Sequence, residues 1–81
     1  MKIEIITRFS PTTYSARAVG YSVKATATSG HDWAAQAVAN KLLKMFFMEM
    51  KNPVISSLSK VSDPKNYTDP IHWNLILKEA A

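Results

Sequence analysis

From Lys2 to Phe9 the chain alternates, with Ile3, Ile5, Thr7 and Phe9 on one side and Lys2, Glu4, Ile6 and Arg8 on the other. A period of two is the mark of a strand with one buried face, because successive side chains point to opposite sides of a sheet. The stretch Ser10-Pro11-Thr12-Thr13 interrupts it as a turn. Alternation then resumes twice around Gly20: Tyr14, Ala16 and Ala18 share one face, and Tyr21, Val23, Ala25 and Ala27 share the next. Arg17, Ser22, Lys24, Thr26 and Thr28 occupy the opposite side. The pattern predicts three antiparallel strands, at about 2–10, 14–19 and 21–28, with one apolar and one polar-basic face. The small alanines leave room for a helix to lie close against the sheet.

The period changes after Gly30. Ser29 and Asp32 form a capping-box pattern with Asp in place of Glu, and no proline or glycine follows until Pro53. A helix is expected at about 31–50. On a helical wheel Ala34, Ala35, Val38, Ala39, Leu42, Met45 and Phe46 form the sheet-facing stripe, and Gln36, Asn40, Lys44 and Lys51 lie opposite. Trp33 and Phe47 fall among the polar residues, with Met48 at their flank. The segment KLLKMFFMEMK therefore holds more apolar side chains than one stripe needs. Large apolar groups on an outer face call for a cover. Two are available: the chain's own C-terminal third, or a partner. The expectation is that the tail covers Phe47 and Met48 and leaves Trp33 open.

In that C-terminal third, Asn52-Pro53 is a helix-start pair, and Val54, Ile55, Leu58 and Val61 have helical spacing. A short helix is expected at about 53–61. Asp69-Pro70 repeats the start signal, which predicts a second short helix at about 70–79. Ile71, Trp73, Leu75 and Leu77 also alternate, so a strand there is the rival. The expected fold is a single α+β domain over 1–81: a three-stranded antiparallel sheet packed by one long helix, with one or two short C-terminal helices.

Composition narrows the function. At 81 residues, 47% hydrophobic and with two glycines, the chain is a folded domain with a modest core. It has no cysteine, so thiolate and disulfide chemistry are excluded. No apolar run reaches the roughly 18 residues of a membrane span, and Glu4 and Arg8 make the N-terminus a poor signal peptide. A soluble cytoplasmic protein is expected, with no membrane partner. His31 and His72 are the only histidines. Neither belongs to a metal-binding spacing, and His31 is expected at the helix start in water. Gly20 and Gly30 stand alone, so no phosphate-cradling loop is written here. No catalytic residue, metal or cofactor is expected.

The order strand, strand, strand, helix resembles the C-terminal part of a double-stranded RNA-binding domain, but SGHDWAA brings an acid where that family has a basic cluster. The stretch YSARAVGYSVKATATSGHDWAAQAVANKLLKM is similar in organisation to some small phage-borne anti-CRISPR proteins, and to the antitoxin half of some toxin–antitoxin pairs. The likeness covers about residues 2–50. It implies a non-catalytic, phage-encoded or mobile-element-encoded protein, working in the host cytoplasm, that blocks a larger protein or ribonucleoprotein by steric occlusion. Trp33, Asn40, Lys44 and Phe47 are the expected partner-binding residues, with Arg8, Arg17 and Lys24 as a secondary basic face. The alternatives are a nucleic-acid-binding domain using that basic face, and a homodimeric or antitoxin-like module.

Overall fold

The computed structural model describes residues 1–61, 63–66 and 68–80. The elements run β1 (Lys2–Phe9), β2 (Tyr14–Ala18), β3 (Lys24–Ala27), α1 (His31–Phe46), β4 (Pro53–Lys60) and β5 (Ile71–Glu79). The strands form one antiparallel, curled sheet in the order β3-β2-β1-β5-β4, with α1 across one face. The expected three-stranded sheet with C-terminal helices is thereby corrected, among the described residues, to five strands and one helix.

The physical reason starts at β1. Its pairing with β2 (Ile5↔Ala18, Thr7↔Ala16) satisfies one edge only. β5 fills the other, with Ile3↔Leu75, Ile5↔Trp73 and Thr7↔Ile71 directly opposite. This pairing decides between the helix-start signal at Asp69-Pro70 and the alternation of residues 71–79: a short helix there would leave the second edge of a buried strand without backbone partners, at a cost near that of lost hydrogen bonds. The N-terminus is held in the same ladder. The Met1 ammonium donates to the Leu77 carbonyl at 3.0 Å, and the Leu77 N–H donates to the Met1 carbonyl at 2.9 Å.

β4 looks helical in sequence because of a bulge. Its register passes from Ile55↔Leu77 to Ser57↔Ile76, leaving Ser56 unpaired. One extra residue shifts the parity, so Ile55 and Leu58, three apart, both face inward. That spacing imitates a helix stripe.

The core lies between α1 and the sheet. Ile3, Ile5, Ala16, Ala18, Leu75 and Leu77 meet Ala34, Ala35, Val38, Ala39, Leu42 and Phe46, all essentially out of water. Facing alanines set the close approach of helix and sheet. The helix starts on Gly30 at φ +154 with no side-chain cap, so Ser29 does not play the expected role, although Asp32 stands in the first turn. It ends at Phe46 rather than near residue 50. Met50 N–H then donates to the Phe46 carbonyl at 2.8 Å, and Asn52, in the left-handed region at φ +47, turns the chain into β4. Asparagine is among the few non-glycine residues that adopt this conformation readily.

Candidate interaction surfaces

The outer stripe of α1 is uncovered. Trp33 is 66% exposed, Phe47 64% and Met48 91%, and Asn40 and Lys44 are exposed between the rings. The expected cover of Phe47 and Met48 by the tail is a second correction. Ile71, Trp73, Leu75 and Leu77 are used up on the other side of α1, in the sheet. Trp33 and Phe47 are fourteen positions apart, about 21 Å along a helix. The four expected residues thus share one long stripe but not one pocket. At its centre the Gln36 side-chain amide donates to Asn40 Oδ1 at 3.0 Å.

One end of this stripe is broader than the sequence indicates. Met45, expected in the sheet-facing stripe, is 42% exposed. Lys41 Nζ already reaches the carbonyl of Lys24, the first residue of β3, at 2.7 Å. Met45 lies one turn beyond Lys41 on the same side, past the end of that strand. The register brings further apolar groups to this pole. The start of β1, the end of β2 and the end of β5 meet there, and Tyr21 packs edge-on against Phe46 with ring centroids 5.5 Å apart. Met1, Val19, Tyr21, Met45, Phe47 and Met48 make up six of the eight exposed large hydrophobics among the described residues. Only Trp33 and Val61 lie elsewhere. Tyr21, expected on the apolar face of a strand at about 21–28, sits with Val19 in the turn between β2 and β3, which begins only at Lys24, and alternation carries no information about the pole there.

Arg8, Arg17 and Lys24 lie on the opposite layer, on the sheet face that α1 leaves open. They line an open cleft of about 240 Å³ with Ile6, Ser15 and Thr26. Ile6 and Lys24 are the two cross-strand neighbours of Arg17, and Arg8 stands opposite Ser15. Among the described residues none of the three cations has an ion-pair partner; the ion pairs are Lys60–Asp63 and His72–Glu4. The basic face and the helix stripe therefore form two separate surfaces.

The polar groups inside the fold do structural work. Thr7, the one buried polar residue among those described, is a hydrogen-bonding hub at the helix start. Its hydroxyl accepts from the Trp73 indole N–H at 2.9 Å, lies 2.8 Å from His31 Nδ1, and reaches the Ile71 carbonyl at 3.4 Å. His31, expected in water, is instead half-buried and packs edge-on against Tyr14, with centroids 4.8 Å apart. Thr7→Val keeps the shape but removes the partner of two ring nitrogens, one of them buried. It should cost about 1–3 kcal/mol, read from urea denaturation. The spectroscopic signature of the fold should survive the change.

Burial holds the His31 pKa below its ordinary value of about 6.5; neighbouring Asp32 opposes the effect and Lys60 adds to it. The unfolded chain therefore takes up this proton at higher pH than the folded one. The resulting stability is present above about pH 6.5 and is lost as pH falls through the lower folded-state value. Urea midpoints should decline below pH 6.5, and His31→Asn should flatten that decline. An unchanged slope in His31→Asn would assign the dependence to another group.

No set of three metal-ligating side chains clusters among the described residues, and no helix there is long and apolar enough to cross a membrane. Compared with known proteins, the chain matches no family model, no curated protein and no solved structure, so the surfaces described above are the ground on which its function is read.

Proposed function

We propose that this chain is a non-catalytic binding protein that acts by steric occlusion, covering the surface of a larger protein or ribonucleoprotein with the outer stripe of α1 and its apolar pole. One observation carries the reading: Trp33 stands in water on the outer side of α1, and Phe47 and Met48 stand in water just past its end, with no segment of the described chain over them. Phe47 and Met48 join Met1, Val19, Tyr21 and Met45 in one exposed apolar pole, and monomeric proteins seldom leave such a patch without a use; Trp33 adds a second anchor about 21 Å away. Aromatic rings and methionine are also the residues that protein interfaces favour. Trp33 and Phe47 serve as the anchors. Asn40 and Lys44 supply directional and charged contacts between them. The likeness of residues 2–50 to anti-CRISPR proteins supports blocking as the mode of action.

The test is affinity capture from host lysate with the wild-type chain and with Trp33→Ala/Phe47→Ala as paired baits. A protein held by the first and absent from the second, with both baits equally folded by circular dichroism, supports the reading. A partner held equally by both would refute it. Sedimentation distinguishes the homodimer: if a dimer forms and the double variant is monomeric, the partner is a second copy.

A further inference from the structure

Formal net charge is +4 over the whole chain, and its distribution is one-sided. Strand alternation places Lys2, Arg8, Arg17, Lys24 and Lys78 on the open face of the sheet, because their neighbours Ile3, Thr7, Ala16, Ala18 and Leu77 are buried under α1. The face carries a single carboxylate, Glu4, and this is bonded to His72 at 2.9 Å. Five cations against one acid give the face the full +4. The remaining five lysines and five acids cancel, so the rest of the molecule is neutral.

Within this face the charge is concentrated further. Arg17 and Lys24 lie directly opposite each other across β2 and β3. Like charges in that position repel and weaken the pairing unless something anionic sits over them. No acid of the described chain does so, and the nearest side chains in the cleft are the hydroxyls of Ser15 and Thr26 and the apolar floor of Ile6. Arg8 is diagonal to Arg17, two residues along from its partner, within the roughly 7–8 Å of a diagonal sheet neighbour. Three cations with this spacing, in a groove holding hydroxyl donors, suit a chain of anions rather than one small ion. Neither Phe, Tyr nor Trp occurs among the described residues of the open face, and its one ring, the His72 imidazole, is held by Glu4 at 2.9 Å, so the face offers no aromatic platform for successive bases.

We propose that the open face binds the phosphodiester backbone of a nucleic acid, with Arg8, Arg17 and Lys24 on neighbouring phosphates and no base readout. The inference is independent of the helix stripe, which lies on the other layer. A protein that carries both surfaces can bridge a ribonucleoprotein, the helix stripe on its protein part and the sheet on its nucleic acid.

Fluorescence anisotropy of labelled oligonucleotides of scrambled sequence, single-stranded RNA and duplex DNA, tests it with the full chain. For three neutralised phosphates, affinity should fall about 40-fold for duplex and about 20-fold for single strands between 50 and 200 mM salt. Arg17→Gln and Lys24→Gln should each reduce the logarithmic salt slope by about one, whereas Lys44→Gln on the helix stripe should leave it unchanged. These three side chains are exposed, so thermal melts should confirm intact folds. Trp33→Ala/Phe47→Ala should bind oligonucleotide as wild type does. Absence of binding at 50 mM salt, an equal loss with Lys44→Gln, or capture of poly-glutamate in preference to oligonucleotide would each overturn the proposal.

Discussion

Trp73→Ala should bring the protein to the edge of unfolding. Trp73 is almost fully buried on β5, opposite Ile5 of the central strand, and its indole N–H is spent on Thr7. Removing a ring of this size from a core costs about 3–5 kcal/mol, because neighbours collapse only in part into the space it leaves. For 81 residues the total stability should be about 4–12 kcal/mol. The change therefore removes much of it, and the Thr7 hydroxyl also loses a donor. A melt of the variant should show a transition lowered by tens of degrees, or none at 25 °C. Had the tail formed a peripheral helix, the same substitution would have been mild. A fully stable Trp73→Ala variant would thus contradict the five-stranded sheet.

How far the fold could be read from residues depended on how local its signals are. Ile3, Ile5 and Thr7 alternate cleanly, and the alanine and leucine stripe of α1 has a single plausible target, so the first three strands and the helix follow from short-range pattern. The tail does not yield in that way. Ile71, Trp73, Leu75 and Leu77 alternate, but Asp69-Pro70 just before them reads as a helix start, and what selects the strand is the open edge of β1, some seventy residues earlier in the chain. In β4 the bulge at Ser56 rewrites the spacing of Ile55 and Leu58 into a helical one, and nothing in the local composition announces it. Asp69-Pro70 and Asn52-Pro53 look like helix starts, but each precedes a strand instead. The anomaly of Trp33 and Phe47 was legible on the wheel. Their cover was not, because it depended on where the tail's apolar residues were needed more. The basic face of Arg8, Arg17 and Lys24 followed from the alternation, but that one face holds the whole net charge did not, since this requires β5 to place Lys78 on the same side and every acid except Glu4 to fall outside it.

The second large effect concerns the helix stripe. Trp33→Ala/Phe47→Ala should leave stability nearly unchanged, because both rings spend most of their surface in water. Its effect on partner binding should be large. Interface anchors of this kind each cost about 2 kcal/mol or more when truncated, so the pair should weaken binding by about a thousandfold. The surrounding residues should matter much less. Asn40→Ala, which also releases Gln36, and Lys44→Ala lie between the anchors, and rim charges act mainly on the association rate. Met48→Ala is the informative intermediate, since Met48 is the most exposed member of the apolar pole and contributes only if the partner reaches around the end of α1.

Calorimetric titration of the captured partner puts the helix stripe to the test. Wild-type chain and Trp33→Ala/Phe47→Ala, matched in melting temperature, are titrated into the same partner preparation, with Arg17→Gln/Lys24→Gln as the charge control. The predicted result is an affinity about a thousandfold weaker for the double aromatic variant, with the partner's protein component bound by the charge control nearly as tightly as by wild type. Equal affinity of the wild-type chain and the folded aromatic variant would contradict it.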